Sequence, residues 1–161
     1  MLRTIFTTLT KRCDKFQHYF PLYEKHFQQY VGKSPRILEI GVRGGGSYES
    51  PDQIVTLKLT YQLLKDVGVY WCEDTHTSYY PNRLDGGYDN PKSFTSYVKN
   101  IVDVLSHHHT SHAIGFGPID GPHVPKKLIK PFDQIQGVAF YDSVIVIDKG
   151  PRLHFKRIVK K

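Results

Sequence analysis

The stretch from Ile37 to Leu59, ILEIGVRGGGSYESPDQIVTLKL, constrains the fold of this chain more than any other. Arg36 to Ile40 reads as a short buried strand, and Gly41 to Ser47 as the glycine-rich turn that follows it. Glycines carry no Cβ, so their backbone tolerates positive φ and approaches a ligand closely. A strand running into such a turn is the usual entrance to a nucleotide-type cofactor site. Gly41, Gly44, Gly45 and Gly46 are therefore candidate cofactor-binding residues, with Glu39 placed to accept hydrogen bonds from an amine. Many strand-to-helix turns carry two glycines without a ligand, so the pattern alone leaves both readings open. A helix packed on the strand, then a second strand bearing an acidic residue, would complete the pocket. Tyr48-Glu49-Ser50-Pro51 follows instead, and Pro51 opens a different helix, since its missing N–H costs nothing in a first turn.

The rest of the chain alternates helix and strand patterns. Phe16, Phe20, Tyr23, Phe27 and Tyr30 recur at helical spacing between Asp14 and Val31, with Pro21 as a break or first turn. The Pro51 helix carries Ile54, Leu57, Leu59, Tyr61, Leu63 and Leu64 and stops by Asp66. Val67 to Cys72 (VGVYWC) is a second strand, nearly all apolar, as in a sheet buried on both faces. Thr75 to Pro91 is a long polar and aromatic loop, and such loops in compact domains tend to be functional. A helix follows from Lys92 to His109, with Phe94, Tyr97, Val98, Ile101, Val102 and Leu105 on its apolar side. Ser111 to Lys130 is irregular and rich in Gly and Pro. Gln134–Phe140 and Ser143–Asp148 form an antiparallel hairpin turning at Tyr141-Asp142. The order predicts an α/β fold, with Arg36–Ile40 paired in parallel to Val67–Cys72 by a right-handed crossover and the hairpin Gln134–Asp148 extending the other side.

At 161 residues the chain is one domain's worth, read here as residues 1–150 with a basic tail at 151–161. No apolar run is long enough for a membrane span, and the threonine-broken N-terminus does not read as a secretory signal. Cys13 and Cys72 lie far apart in unlike contexts, which predicts two reduced thiols in a cytoplasmic protein. Much of the net charge of +7 sits near the end, in Lys126, Lys127, Lys130, Lys149, Arg152, Lys156, Arg157, Lys160 and Lys161. Such a tail is either a solvated terminus or a patch for polyanions. The sequence has no paired Cys/His zinc spacing, aromatic RNP strand or GXXG clamp, which argues against a nucleic-acid module.

Glu73 and Asp74 stand at the carboxyl end of the second strand, the edge where open α/β sheets bind ligands. Adjacent carboxylates there are costly unless a cation pairs with them, and they suit a hard ion such as Mg²⁺. His76 is placed to act as a base or to orient a hydroxyl. The alternative is that Asp74 and Thr75 cap a following turn. His107, His108 and His109 splay by ~100° each on a helix and cannot converge on one ion; with His112 they read as a solvated helix end.

"YEKHF", "LEIGVRGGGS", "LLKDVGVYWCEDTHTSYYP" and "VAFYDSVIVIDK", in this order, resemble the class I S-adenosylmethionine-dependent methyltransferases related to macrolide-sugar O-methyltransferases. The cephalosporin-hydroxylase-like branch is similar. The resemblance runs discontinuously from Asp14 to Lys149, and the EDTHTSY segment is its specific part. It implies a Rossmann-like, doubly wound sheet of parallel strands closing on an antiparallel hairpin. S-adenosylmethionine would lie over Glu39, Gly41 and Gly44–Gly46, and Mg²⁺ would be held by Glu73 and Asp74 to polarise the hydroxyl of a small acceptor. His76 is the candidate catalytic residue. Between Ser47 and Tyr48, at least two βα units of ~30 residues each are missing relative to the family. With them go the acidic residue for the cofactor ribose, a further metal carboxylate and another candidate base. The resemblance thus predicts a shortened methyltransferase with an incomplete pocket. A non-catalytic remnant, a partner-binding protein and a homo-oligomer remain open, as does a polyanion-binding module resting on the tail.

Overall fold

The computed structural model describes residues 14–40, 49–111 and 124–152, together with Thr4, Thr7 and Thr8. The chain divides into two compact units, 1–46 and 47–161. Helix and sheet are mixed, with four helices and one three-stranded sheet among the described residues.

In the first unit, helix α1 spans Tyr19–Phe27 and tightens into a 3-10 turn at Gln28–Tyr30. The aromatic spacing read from the sequence forms a ladder of rings. Tyr19 meets Tyr23 at 6.3 Å, Tyr23 stacks on Phe27 at 6.0 Å, and Phe27 meets Tyr30 at 6.5 Å. Pro21 sits in the first turn, where its missing N–H is harmless. Gly32, at φ 73°, ends the helical stretch.

The strand expected at Arg36–Ile40 is not formed. These residues have no regular structure, and Ile37 is 84% exposed. A strand exists only where a neighbour takes its backbone hydrogen bonds, and the second unit fills its ladder differently.

There, β1 (Gly68–Cys72), β2 (Ile135–Tyr141) and β3 (Val144–Lys149) make a sheet of order β1-β3-β2, antiparallel at both joins. Trp71 faces Val146 across one ladder and Ala139 faces it across the other. The antiparallel hairpin lies on one side of β1, and the parallel strand predicted for its other side is not seen among the described residues. The hairpin itself closes through two residues, at little loop entropy. Tyr141 and Val144 form its closing pair, so the turn is Asp142-Ser143 and not Tyr141-Asp142. Ser143 takes the left-handed conformation there, at φ 62°.

Central strand β3 buries Val144 through Ile147, whereas β1 is only half-buried at every position, against the expectation of two covered faces. Helix α2 (Ser50–Thr60) begins at Pro51's turn as predicted, and a 3-10 turn at Tyr61–Leu63 extends it. Helix α3 (Phe94–Ser111) lays Phe94, Val98, Ile101 and Val104 into the core against Leu57, Tyr61, Phe132, Ile135, Ile145 and Ile147. Each such fully buried side chain contributes roughly 1.5–3 kcal/mol of transfer free energy. Helix α4 (Lys126–Phe132) was not foreseen in the Gly/Pro-rich stretch. It carries Pro131 near its end and buries Phe132 against Tyr61, ring centroids 5.0 Å apart.

Two basic residues near the end belong to this unit's packing. Lys149 is buried; its Nζ donates to the Leu64 carbonyl at 2.7 Å and lies 5.4 Å from the Tyr61 ring centroid. Arg152 donates to the carbonyls of Val104 (3.0 Å), Leu105 (3.2 Å) and Asp133.

Candidate functional site

Strand β1 delivers Glu73 and Asp74 at its carboxyl end. Asp74 adopts a left-handed backbone (φ 57°, ψ 28°) that an Asp tolerates better than most residues. This turn sends the chain into a 3-10 helix at Thr75–Tyr79. Asp74 caps it through its main chain: its carbonyl accepts the Thr77 N–H at 3.2 Å and the Thr77 hydroxyl at 2.9 Å. No side-chain cap hydrogen bond is made at Asp74, so the capping alternative is not met.

Glu73 is tied down differently. Its Oε1 accepts the Trp71 indole N–H at 3.0 Å, and its carbonyl accepts Gln53 Nε2 from α2 at 3.5 Å. His76 Nδ1 lies 2.5 Å from Ser143 Oγ in the hairpin turn, and its ring meets the Tyr80 ring edge-on at 5.5 Å. The Ser143 carbonyl also accepts the Thr75 N–H at 3.1 Å, so the turn clasps the helix twice. Ser143 is the residue that sequence reasoning missed. Its signal was weak: a serine at a hairpin position that ordinarily favours Gly or Asn.

The 3-10 helix is seated by small buried polar groups. Ser78 Oγ accepts the Thr95 N–H at 3.3 Å at the start of α3. Among the described residues Gln53 Oε1 and Thr95 Oγ1 are buried with no hydrogen-bond partner. Beyond it, the loop is strapped to the start of α2: Asp85 Oδ2 accepts the Ser50 N–H at 2.6 Å, and Arg83 stands 3.9 Å from Glu49. Gly86 packs so closely on the Tyr80 carbonyl that a Cβ has no room.

Among the described residues no three His, Cys, Asp or Glu side chains gather to hold a metal, and Glu73 already accepts the indole proton. Glu73 and Asp74 are thus two adjacent carboxylates with no third such ligand gathered beside them among the described residues. Glu39 is exposed on an irregular segment instead of ending a strand. Gly41, Gly44, Gly45 and Gly46 lie outside the described residues, and with them the glycine turn. The fit to S-adenosylmethionine is therefore not made by what is described.

Burial pushes the Cys72 thiol up to about 12, so it is protonated and unreactive at neutral pH; Cys13 lies outside the described residues. His107 Nδ1 is spent on the Val104 carbonyl of its own helix at 2.6 Å. The side chains of His108 and His109, and all of His112, lie outside the described residues, as does the tail from residue 153. Of the basic residues named for a polyanion surface, Lys149 and Arg152 are engaged internally, while Lys126, Lys127 and Lys130 are exposed.

No protein-family model, curated protein or solved structure matches this chain. No helix of the described residues is long and apolar enough to cross a membrane.

Proposed function

We propose that this chain is a shortened relative of the S-adenosylmethionine-dependent O-methyltransferases that retains the acceptor side of the site, and that alone it transfers no methyl group to a sugar hydroxyl. The observation that carries this reading is the join between β1 and the hairpin. The segment most specific to the resemblance, Glu73 to Tyr79, is folded at a strand's carboxyl end and is held there by Ser143 of the hairpin. The sheet supports the same reading. β1 and β2 both run antiparallel to β3 and so point the same way. A doubly wound sheet ending in an antiparallel hairpin contains such a unit at its edge, with β1 as its last parallel strand.

Methyl transfer needs the sulfonium and the acceptor oxygen held close and in line. When bound, S-adenosylmethionine would supply the methyl group; what this chain's residues supply is an ordered loop with two carboxylates and an imidazole. Losing one charged hydrogen bond, such as that to the cofactor ribose, costs about 1.5–3 kcal/mol and weakens binding roughly ten- to a hundredfold. Calorimetric titration of the chain with S-adenosylmethionine is therefore expected to give high-micromolar affinity or weaker, with no transfer in an assay containing Mg²⁺. Low-micromolar binding with transfer abolished by Asp74→Asn would refute the loss of activity.

A partner-binding role is favoured by one observation. Val55, Leu59 and Leu63 recur every fourth residue along α2 and its 3-10 extension, and all three are exposed. No saturable binding of S-adenosylmethionine in the same titration would leave this second reading standing.

A further inference from the structure

The chain's positive charge is concentrated in its last part. From Val124 to Lys161 nine Lys and Arg stand against three Asp, which supplies +6 of the net +7. Two of the nine are spent inside the fold, Lys149 on the Leu64 carbonyl and Arg152 on the carbonyls of Val104 and Leu105. Lys126, Lys127 and Lys130 are exposed on α4, and among the described residues none of them makes an ion pair. Helical period sets the three on one face, while Leu128 and Phe132 pack from the opposite face into the core. No acidic residue lies within α4.

Arg152 Nε also donates to the carbonyl of Asp133, the residue that ends α4. Residue 152 is thus anchored at the foot of this helix. The sequence that continues from it, LHFKRIVKK, holds four more basic residues and no acidic one. Lys126 and Lys130, four apart on a helix, repel each other and weaken it slightly. A row of phosphates along that face relieves the repulsion.

We propose that the exposed face of α4 binds the phosphate backbone of a nucleic acid without sequence preference, whether or not the chain binds S-adenosylmethionine. Lysine offers phosphate a point charge and lacks the planar fork that reads a base edge. Backbone contacts position a protein but carry no sequence information, which agrees with the lack of base-reading motifs in this sequence. A membrane surface is the poorer match, because the apolar side of α4 is already packed in the core and has nothing to insert.

The test is fluorescence anisotropy of two labelled duplexes of unrelated sequence, titrated with the full chain over a series of salt concentrations. Both duplexes are expected to bind alike, with log K falling linearly against log salt. The triple variant Lys126→Gln, Lys127→Gln, Lys130→Gln is expected to lower that slope by about 2–3, as three lost phosphate contacts require. It is expected to melt with the parent, since the three side chains are solvated. Lys65→Gln, Lys92→Gln, Lys99→Gln removes the same charge from exposed positions elsewhere and is expected to keep the slope. An equal loss in both triple variants, or no duplex binding at low salt, overturns the proposal. Binding to phosphatidylserine vesicles without duplex binding also overturns it and assigns the face to a membrane. Should the first variant fail to fold cooperatively, amide shifts of the labelled parent on adding duplex decide. Shifts centred on α4 support the proposal, and shifts that leave α4 unmoved overturn it.

Discussion

Lys149→Met separates a structural cation from a tail cation. Lys149 closes β3, opposite Gly68 in one ladder and Ile135 in the other. Its buried ammonium donates to the Leu64 carbonyl at 2.7 Å and reaches the Tyr61 carbonyl at 3.5 Å. Those carbonyls belong to the last turn of the α2 extension, the negative end of its dipole. Met keeps the length and apolar stem but removes the donor, leaving the Leu64 carbonyl short of its partner. A charged hydrogen bond of this kind contributes about 1.5–3 kcal/mol. For a chain of this size each kcal/mol moves the melting temperature by roughly 2–4 °C, so a drop of about 3–12 °C is expected. Thermal unfolding followed by circular dichroism measures it, with Lys126→Met as an exposed control whose melting temperature is expected to stay put. An unchanged melting temperature in Lys149→Met, together with weakened and less salt-dependent nucleic-acid binding, would refute the reasoning and return Lys149 to the polyanion surface.

Asp85 makes stability acid-sensitive. Burial pushes its carboxyl up, but the hydrogen bonds from Ser50, with Arg83 nearby, outweigh that and hold it below the ordinary carboxylate range. A depressed folded value stabilises above the unfolded value of about 3.9 and is lost as pH falls through the folded one. The melting-temperature gap between the parent and Asp85→Asn is thus expected to be full above about pH 5 and to close in acid; a gap constant with pH would exclude the Asp85–Ser50 contact as its source. Millimolar Mg²⁺ is expected to leave the melting temperature unchanged, because no three-ligand set forms among the described residues. A rise that disappears in the Glu73→Gln, Asp74→Asn double variant would show that the two carboxylates hold an ion after all.

Local and short-range features were legible in the sequence. Pro51 marked the start of α2, the spacing of Phe94, Val98 and Ile101 marked the face α3 buries, and the apolar runs around Asp142 marked the hairpin. Each is decided by neighbours within a few residues, through backbone preference or helical period. The strand identity of Val67–Cys72 was legible for the same reason, and so was the arrival of Glu73 and Asp74 at its end. Helix α4 was hidden because Pro131 and the surrounding Gly and Pro argue locally against a helix, and the burial of Phe132 on Tyr61 overrides them.

Partnership was settled elsewhere. β1 takes β3 on one side, and on the other no described strand pairs with it, since Arg36–Ile40 has no regular structure. Lys149 reads as one more charge of a basic tail until β3 carries it beneath the end of α2, where orphan carbonyls await a donor. His76 and Ser143 stand sixty-seven residues apart, and nothing in either neighbourhood names the other. Residue types and local periods determined the elements and the chemistry available to this chain. Only the fold determined which of those groups meet, because a hydrogen bond between distant residues depends on the whole path of backbone that brings them together.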